Sequence, residues 1–211
     1  MTEYENEPIP GLPGLLPPGE RILWQGSPDR RALARTAFHT RLIAGYFGAL
    51  SMVALAFALP NGGWTGVLMT ASLGIVGVAL LHLLAWGSAR TTIYTLTNRR
   101  IVMRIGIAVP KCINLPLGTI ASVDLAARAD GTGDLPLTLI GPPKLGFLAL
   151  WPHARPWRIS QPQPMLRSVP DANAVAAIIA RTCLAIGADE RAAVPEPQRA
   201  PTPMFAKAKA A

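Results

Sequence analysis

Residues 42–89 run for 48 positions without one Asp, Glu, Lys or Arg. The run is interrupted once, by Pro60-Asn61-Gly62-Gly63. A soluble core helix rarely needs more than a dozen apolar residues in succession, whereas a bilayer needs about 20. Two such runs stand back to back here, residues 42–59 and 64–86. At helical rise they reach roughly 27 and 34 Å, against a hydrocarbon core of about 30 Å. The remaining chain holds too little apolar helix to bury the pair on all sides. The run predicts a transmembrane helical hairpin over residues 42–89, with the connection at residues 60–66.

Charge fixes its orientation. Arg30, Arg31, Arg35 and Arg41 precede the first span, Arg90, Arg99, Arg100 and Arg104 follow the second, and the connection is uncharged. The positive-inside bias then predicts both termini in the cytoplasm, with Trp64 and Trp86 at the two interfaces. Residues 1–20 are acidic and proline-rich, the reverse of a cleavable signal, so the first span is expected to serve as its own insertion signal. Of the net charge of +8, residues 87–187 carry +7, from eleven Lys/Arg and four acids. A basic domain after a span suits an anionic lipid surface. Its charges are scattered singly and no recognition motif accompanies them, which argues against nucleic acid.

Within the spans, small residues recur at four-residue spacing: Gly45 with Ala49, and Gly66 with Thr70 and Gly74. Such stripes let helix backbones approach closely. They predict packing of the hairpin against itself or contact with another membrane protein. His82 is the one side chain of the hairpin that can carry a charge near neutral pH, and it sits four residues before Trp86. A histidine there is a candidate ligand for a chlorophyll-type magnesium or a haem, set against plain interfacial hydrogen bonding.

Residues 1–27 read as an extended Pro/Gly-rich arm without a core of its own. Residues 28–41 read as an amphipathic helix along the inner membrane surface, opened by Ser27-Pro28-Asp29, with Leu33, Ala34, Ala37 and Phe38 on one face. From Arg90 to Gly187 the pattern changes to short β-rich runs. Strands are predicted at residues 91–97, 100–105, 112–115, 119–126, 135–140 and 145–151, with turns at Asn98-Arg99 and at residues 130–134. A helix follows, capped by Asp171, with Val175, Ile178, Ile179, Thr182 and Ile186 on one face and its end at Gly187. The tail, residues 188–211, has a disordered composition. The fold class is therefore an α+β membrane protein, a two-helix transmembrane hairpin followed by a small β-sandwich or barrel capped by a C-terminal helix.

Chemistry is sparse. His39, His82 and His153 are scattered, Cys112 and Cys183 lack metal-ligand spacing, and no P-loop or dinucleotide fingerprint occurs. Asp130 and Asp134 bracket a turn rather than a cation loop, which needs more oxygens. No metal site and no enzyme is expected. The most unusual soluble segment is Trp151-Pro-His-Ala-Arg-Pro-Trp-Arg158. Its prolines oppose regular pairing, and Trp151, Arg155, Trp157 and Arg158 are residue types that anchor interfaces. They are expected either to contact a partner or the membrane, or to cover the core with their indoles.

Two phrases carry a resemblance. Residues 94–106, Tyr-Thr-Leu-Thr-Asn-Arg-Arg-Ile-Val-Met-Arg-Ile-Gly, look like the opening hairpin of bacterial pleckstrin-homology-like domains, and residues 16–28 resemble their usual lead segment. The order of parts, with residues 130–134, 150–157 and 164–171, is similar to the PuhB-type photosynthetic-complex assembly proteins of purple bacteria. The likeness covers about Gly14 to Gly187. It implies a cytoplasmic pleckstrin-homology-like domain over residues 90–187 and a non-enzymatic inner-membrane factor. Such a factor aids assembly of the reaction centre with light-harvesting complex 1, the core antenna. The implied partners are reaction-centre and core-antenna subunits and an anionic lipid surface, with a homodimer as a further candidate. No cofactor is implied beyond a candidate bacteriochlorophyll contact at His82. A general lipid-binding adaptor is the alternative. A transporter fits poorly, because the spans hold no intramembrane charge.

Overall fold

The computed structural model describes residues 9–141 and 145–192, with side chains as far as residue 186. A short strand β1 (Ile22–Gly26) and helix α1 (Arg30–Thr36) lead into two long helices, α2 (Thr40–Asn61) and α3 (Trp64–Thr91). Both are long and apolar enough to cross a membrane. Few of their side chains are buried against protein, so they are not core helices of a soluble domain. They are joined by Gly62-Gly63 alone. Gly62 adopts a left-handed conformation (φ 68°) that glycine tolerates, and its N–H closes the last turn on the Ala58 carbonyl at 2.7 Å. The expected seven-residue connection is thus shorter, because Pro60 and Asn61 complete α2 and Trp64 opens α3.

The remainder is built from antiparallel strands. In the first sheet β1, β2 (Ile93–Thr97), β3 (Arg100–Ile105) and β4 (Lys111–Pro116) lie in that order. In the second, β7 (Gly133–Leu139) is the hub. It pairs with β5 (Ile120–Val123) and β6 (Ala126–Ala127), and with β8 (Met165–Val169) on the opposite edge. Helix α5 (Ala172–Ala192) packs Val175 and Ile179 into a core shared with Leu96, Ile101, Leu135 and Leu166. The two sheets and the closing helix give the α+β architecture expected, with β3 at its expected bounds.

Four local expectations are corrected. The arm is not free of the core: β1 pairs with β2, and Leu12 is buried. The helix expected over residues 28–41 stops at Thr36, and His39 takes a left-handed backbone (φ 49°) before α2 begins. Its apolar face does not lie on lipid, because Leu33, Ala34 and Phe38 pack against Ala85 and Ala89 of α3. Residues 145–151 form no strand; Phe147–Leu150 is a helical turn, α4. Finally, α5 continues through Gly187 to Ala192. The acidic residues 3–7 and the tail from residue 193 lie outside the described residues.

One pairing constrains topology. Strand β1 precedes the hairpin, β2 follows it, and Trp24, Gln25 and Gly26 are registered with Leu96, Thr95 and Tyr94. Two strands sharing main-chain hydrogen bonds lie side by side, so the chain before α2 and the chain after α3 return to the same sheet.

Candidate functional site

The base of the hairpin is where the polar chemistry converges. Helix α1 is capped by Asp29, whose carboxylate accepts from the Ala32 N–H at 2.7 Å. The Asp29 N–H donates to the Ser168 carbonyl of β8 at 2.7 Å. Arg35 pairs with Asp130 at 2.7 Å, and Asp130 also accepts from the N–H and hydroxyl of Thr132. Those bonds from Thr132, joined by Arg35, hold the Asp130 carboxyl below its usual range. Asp134 accepts from the Ser168 N–H at 2.7 Å and pairs with Arg128. The Asp-Gly-Thr-Gly-Asp turn is therefore a clamp between α1, β7 and β8. Among the described residues no group of His, Cys, Asp and Glu is arranged to hold a metal.

Beneath that clamp lies His153, fully buried. Its Nδ1 is 2.7 Å from the Tyr94 hydroxyl, and its Nε2 is 3.1 Å from Thr92 Oγ1 and 3.5 Å from Ser88 Oγ. The Tyr94 oxygen already accepts the Arg167 N–H at 3.0 Å, and burial pushes the phenol's pKa up. The phenol therefore keeps its proton and donates it to Nδ1, which leaves Nε2–H to donate towards Thr92 and Ser88. Burial, with the Arg167 guanidinium nearby, pushes the imidazole down to about 3. A neutral histidine sealed from solvent is a structural pivot between α3, β2 and β8, not a proton carrier for a ligand. Arg167 is buried beside it and spans the joint. It donates to the Pro152 carbonyl at 2.8 Å and to the Thr36 carbonyl, at the C-terminal end of α1, at 3.0 Å. Its Nε has no hydrogen-bond partner.

The expected contact segment is divided by this arrangement. Trp151 packs edge-on against Phe38, ring centroids 5.6 Å apart, and belongs to the joint. Arg155 is held by Asp124 at 2.9 Å and by Gln163 at 3.1 Å. Main-chain bonds from Arg155 to Gln163 and from Met165 to His153 close a loop in spite of the prolines. Trp157, 95% exposed, and Arg158 stand at its tip, followed by the exposed Ile159. So Trp151 rests one edge on Phe38 while staying 49% exposed, and Trp157 is free. The turn after β3 also presents Ile107 and Val109, and Ile107 lies against Gly87 near the C-terminal end of α3.

Of the small residues, Gly74 alone among the glycines named meets the opposing helix: a Cβ there would sit 2.6 Å from Phe47 Cβ. Gly45 and Gly66 have nothing within 4 Å of such an atom, Ala49 is exposed, and the Thr70 hydroxyl bonds back to the Gly66 carbonyl at 2.8 Å. His82 is exposed, with Nδ1 2.9 Å from the Val78 carbonyl, so Nδ1–H donates there and Nε2 has no hydrogen-bond partner among the described residues. His82 lines a groove of about 910 Å³ between α1 and the inner ends of α2 and α3, together with Arg30, Arg31, Arg35, Arg41 and Trp86. The histidine at the heart of the joint and the arginine beside it carried no local sequence signal. Their partners come from four separate elements.

Comparison with known proteins follows this geometry. The family model described as Bacterial PH domain matches residues 41–182, which takes in the hairpin and most of both sheets. The chain belongs to the bacterial PH domain family. A relative from Rhodobacter capsulatus is 39% identical over 193 residues, 87% of this chain and 88% of that protein. Its name describes it as an uncharacterized 23.7 kDa protein in the puhA 5′ region. This agrees with the coarser part of the resemblance, a puh-region protein carrying a bacterial PH domain. No solved structure matches the chain.

Proposed function

We propose that this bacterial PH domain protein is a non-enzymatic assembly factor of the bacterial inner membrane. It acts on the photosynthetic reaction centre and its core antenna through contacts within the bilayer and at the cytoplasmic face. The observation that carries the reading is the 39% identity, along most of both chains, to a protein named for the puhA 5′ region. Identity of that extent includes the hairpin and the sheets together. The hairpin supplies two spans with exposed small residues, and β1–β2 pairing supports a two-pass insertion with both ends on the arginine-rich, cytoplasmic side. The buried, neutral His153 and the paired Asp130 and Asp134 support a scaffold rather than a catalyst.

Partner contact is assigned to Trp157 and Arg158 at the loop tip and to the open small residues of the hairpin, Gly45 and Ala49 on α2 and Gly66 on α3. The decisive experiment deletes the gene and measures reaction-centre and core-antenna absorbance in isolated membranes. A marked loss is expected, and unchanged absorbance would sink the assembly reading. His82→Leu tests bacteriochlorophyll contact separately: co-purifying pigment should fall with the chain still inserted, and unchanged pigment content removes the ligand role. The alternative, a general adaptor for anionic lipid headgroups, is favoured by the arginine groove. It predicts vesicle binding with no photocomplex phenotype.

A further inference from the structure

The groove at the hairpin base changes character along its length. At its mouth stand Arg30 and Arg31 of α1 and Arg41 in the first turn of α2, with Arg35 beside them. Arg35 is held by Asp130, but among the described residues Arg30, Arg31 and Arg41 make no ion pair and no carboxylate lines the groove. Three uncompensated guanidiniums converge there on a scaffold that the Asp29 cap and the Leu33–Phe38 packing hold in place. Further in, the walls are Ala44, about one turn into α2, and Leu83 and Val78, about two and three and a half turns from the Thr91 end of α3. The surface thus passes from guanidinium to hydrocarbon along roughly 20 Å of the helices. That is the polarity sequence of a glycerophospholipid, from phosphate to acyl chain. Guanidinium pairs suit phosphate because their planar forks bind two oxygens at once.

We propose that the groove holds one anionic phospholipid of the inner leaflet. Its phosphate lies on Arg30, Arg31 and Arg41, and an acyl chain lies along Ala44, Val78 and Leu83. A zwitterionic choline lipid is disfavoured, since no acid balances its ammonium and Arg90 already stacks over the Trp86 ring at 5.5 Å. A soluble phosphate would leave the apolar wall unused. The inference rests on the membrane reading of α2 and α3 and is independent of the assembly role.

The test uses the full chain purified in mild detergent and native mass spectrometry with added phosphatidylglycerol, phosphatidylcholine or glycerol 3-phosphate. One phosphatidylglycerol should be retained per chain, at least about tenfold better than phosphatidylcholine. The triple variant R30Q/R31Q/R41Q should lose that preference. Ala44→Phe, at an exposed position that folding does not depend on, should lower retention by filling the apolar wall with the arginines intact. Equal retention of the two lipids, or retention unchanged in both variants, overturns the proposal. Glycerol 3-phosphate binding as tightly as phosphatidylglycerol overturns the lipid source in favour of a soluble phosphate. Alkaline carbonate extraction separates the two levels of failure. Release from membranes would sink the membrane reading itself, whereas a carbonate-resistant chain without lipid preference sinks only the site.

Discussion

Helix α3 behaves differently along its two halves. Along its first half it packs against α2, with Phe47 close over Gly74, while Leu68, Leu73 and Ile75 are exposed. From Ala85 onward the same helix is enclosed. Ala85 and Ala89 lie under Leu33 and Phe38, Gly87 lies under Ile107, and Ser88 faces His153. One helix thus serves two solvents. Apolar side chains turned outward suit hydrocarbon, where packing between helices has no hydrophobic drive. Small residues turned inward suit a joint where three helices and two strands must meet at close range.

Breaking the joint should cost most. Arg167→Ala would leave the carbonyls of Thr36 and Pro152 without their donor and open a cavity. A loss of about 3–5 kcal/mol is expected from denaturant unfolding of the detergent-solubilised chain. Next comes the pH response of His153. Its folded pKa, about 3, lies below the ordinary 6.5, so the unfolded chain binds a proton first as pH falls. Stability is therefore full above about pH 6.5 and declines by up to about 1.4 kcal/mol per pH unit towards about pH 3. His153→Gln should abolish that component of the slope while lowering stability at neutral pH. A wild-type slope that survives the substitution would show that other groups set it.

The hairpin contacts should respond less. Gly74→Leu forces α2 and α3 apart at Phe47 and should cost about 1–3 kcal/mol. Gly45→Leu near the base and Gly66→Leu near the tip meet open space and should change stability by no more than about 0.5 kcal/mol. If either instead alters the mass of the detergent complex, that position lies in an intermolecular interface. Trp157→Ala should be the mildest for folding, within about 0.5 kcal/mol, because its ring is almost wholly exposed. Any effect it has should be on photocomplex yield.

What was legible followed from local pattern. The uncharged run, the β2–β3 hairpin and the inward face of α5 each announce themselves through residues close in sequence. Strand β1 did not, because a five-residue edge strand in a Pro/Gly-rich arm acquires meaning only from β2, on the far side of the hairpin. Residues 145–151 misled because a short apolar run fits strand or helix equally, and here Phe147–Leu150 closes a helical turn. The aromatic-rich phrase signalled an unusual segment but not its division. Whether a tryptophan finds a packing partner or stands free depends on Phe38, more than a hundred positions earlier. His153 and Arg167 were hidden for the same reason.

The registration of β1 with β2 also bears on biogenesis. The ribosome releases β1 before either apolar helix and β2 only after both, so the first sheet stays open while the translocation machinery threads the pair. A nascent chain threaded only once would strand β1 and β2 in different compartments. The edge of β2 would then be bare, a handle for quality-control proteases. On the two-span reading, closure of the first sheet therefore requires that both apolar helices have inserted.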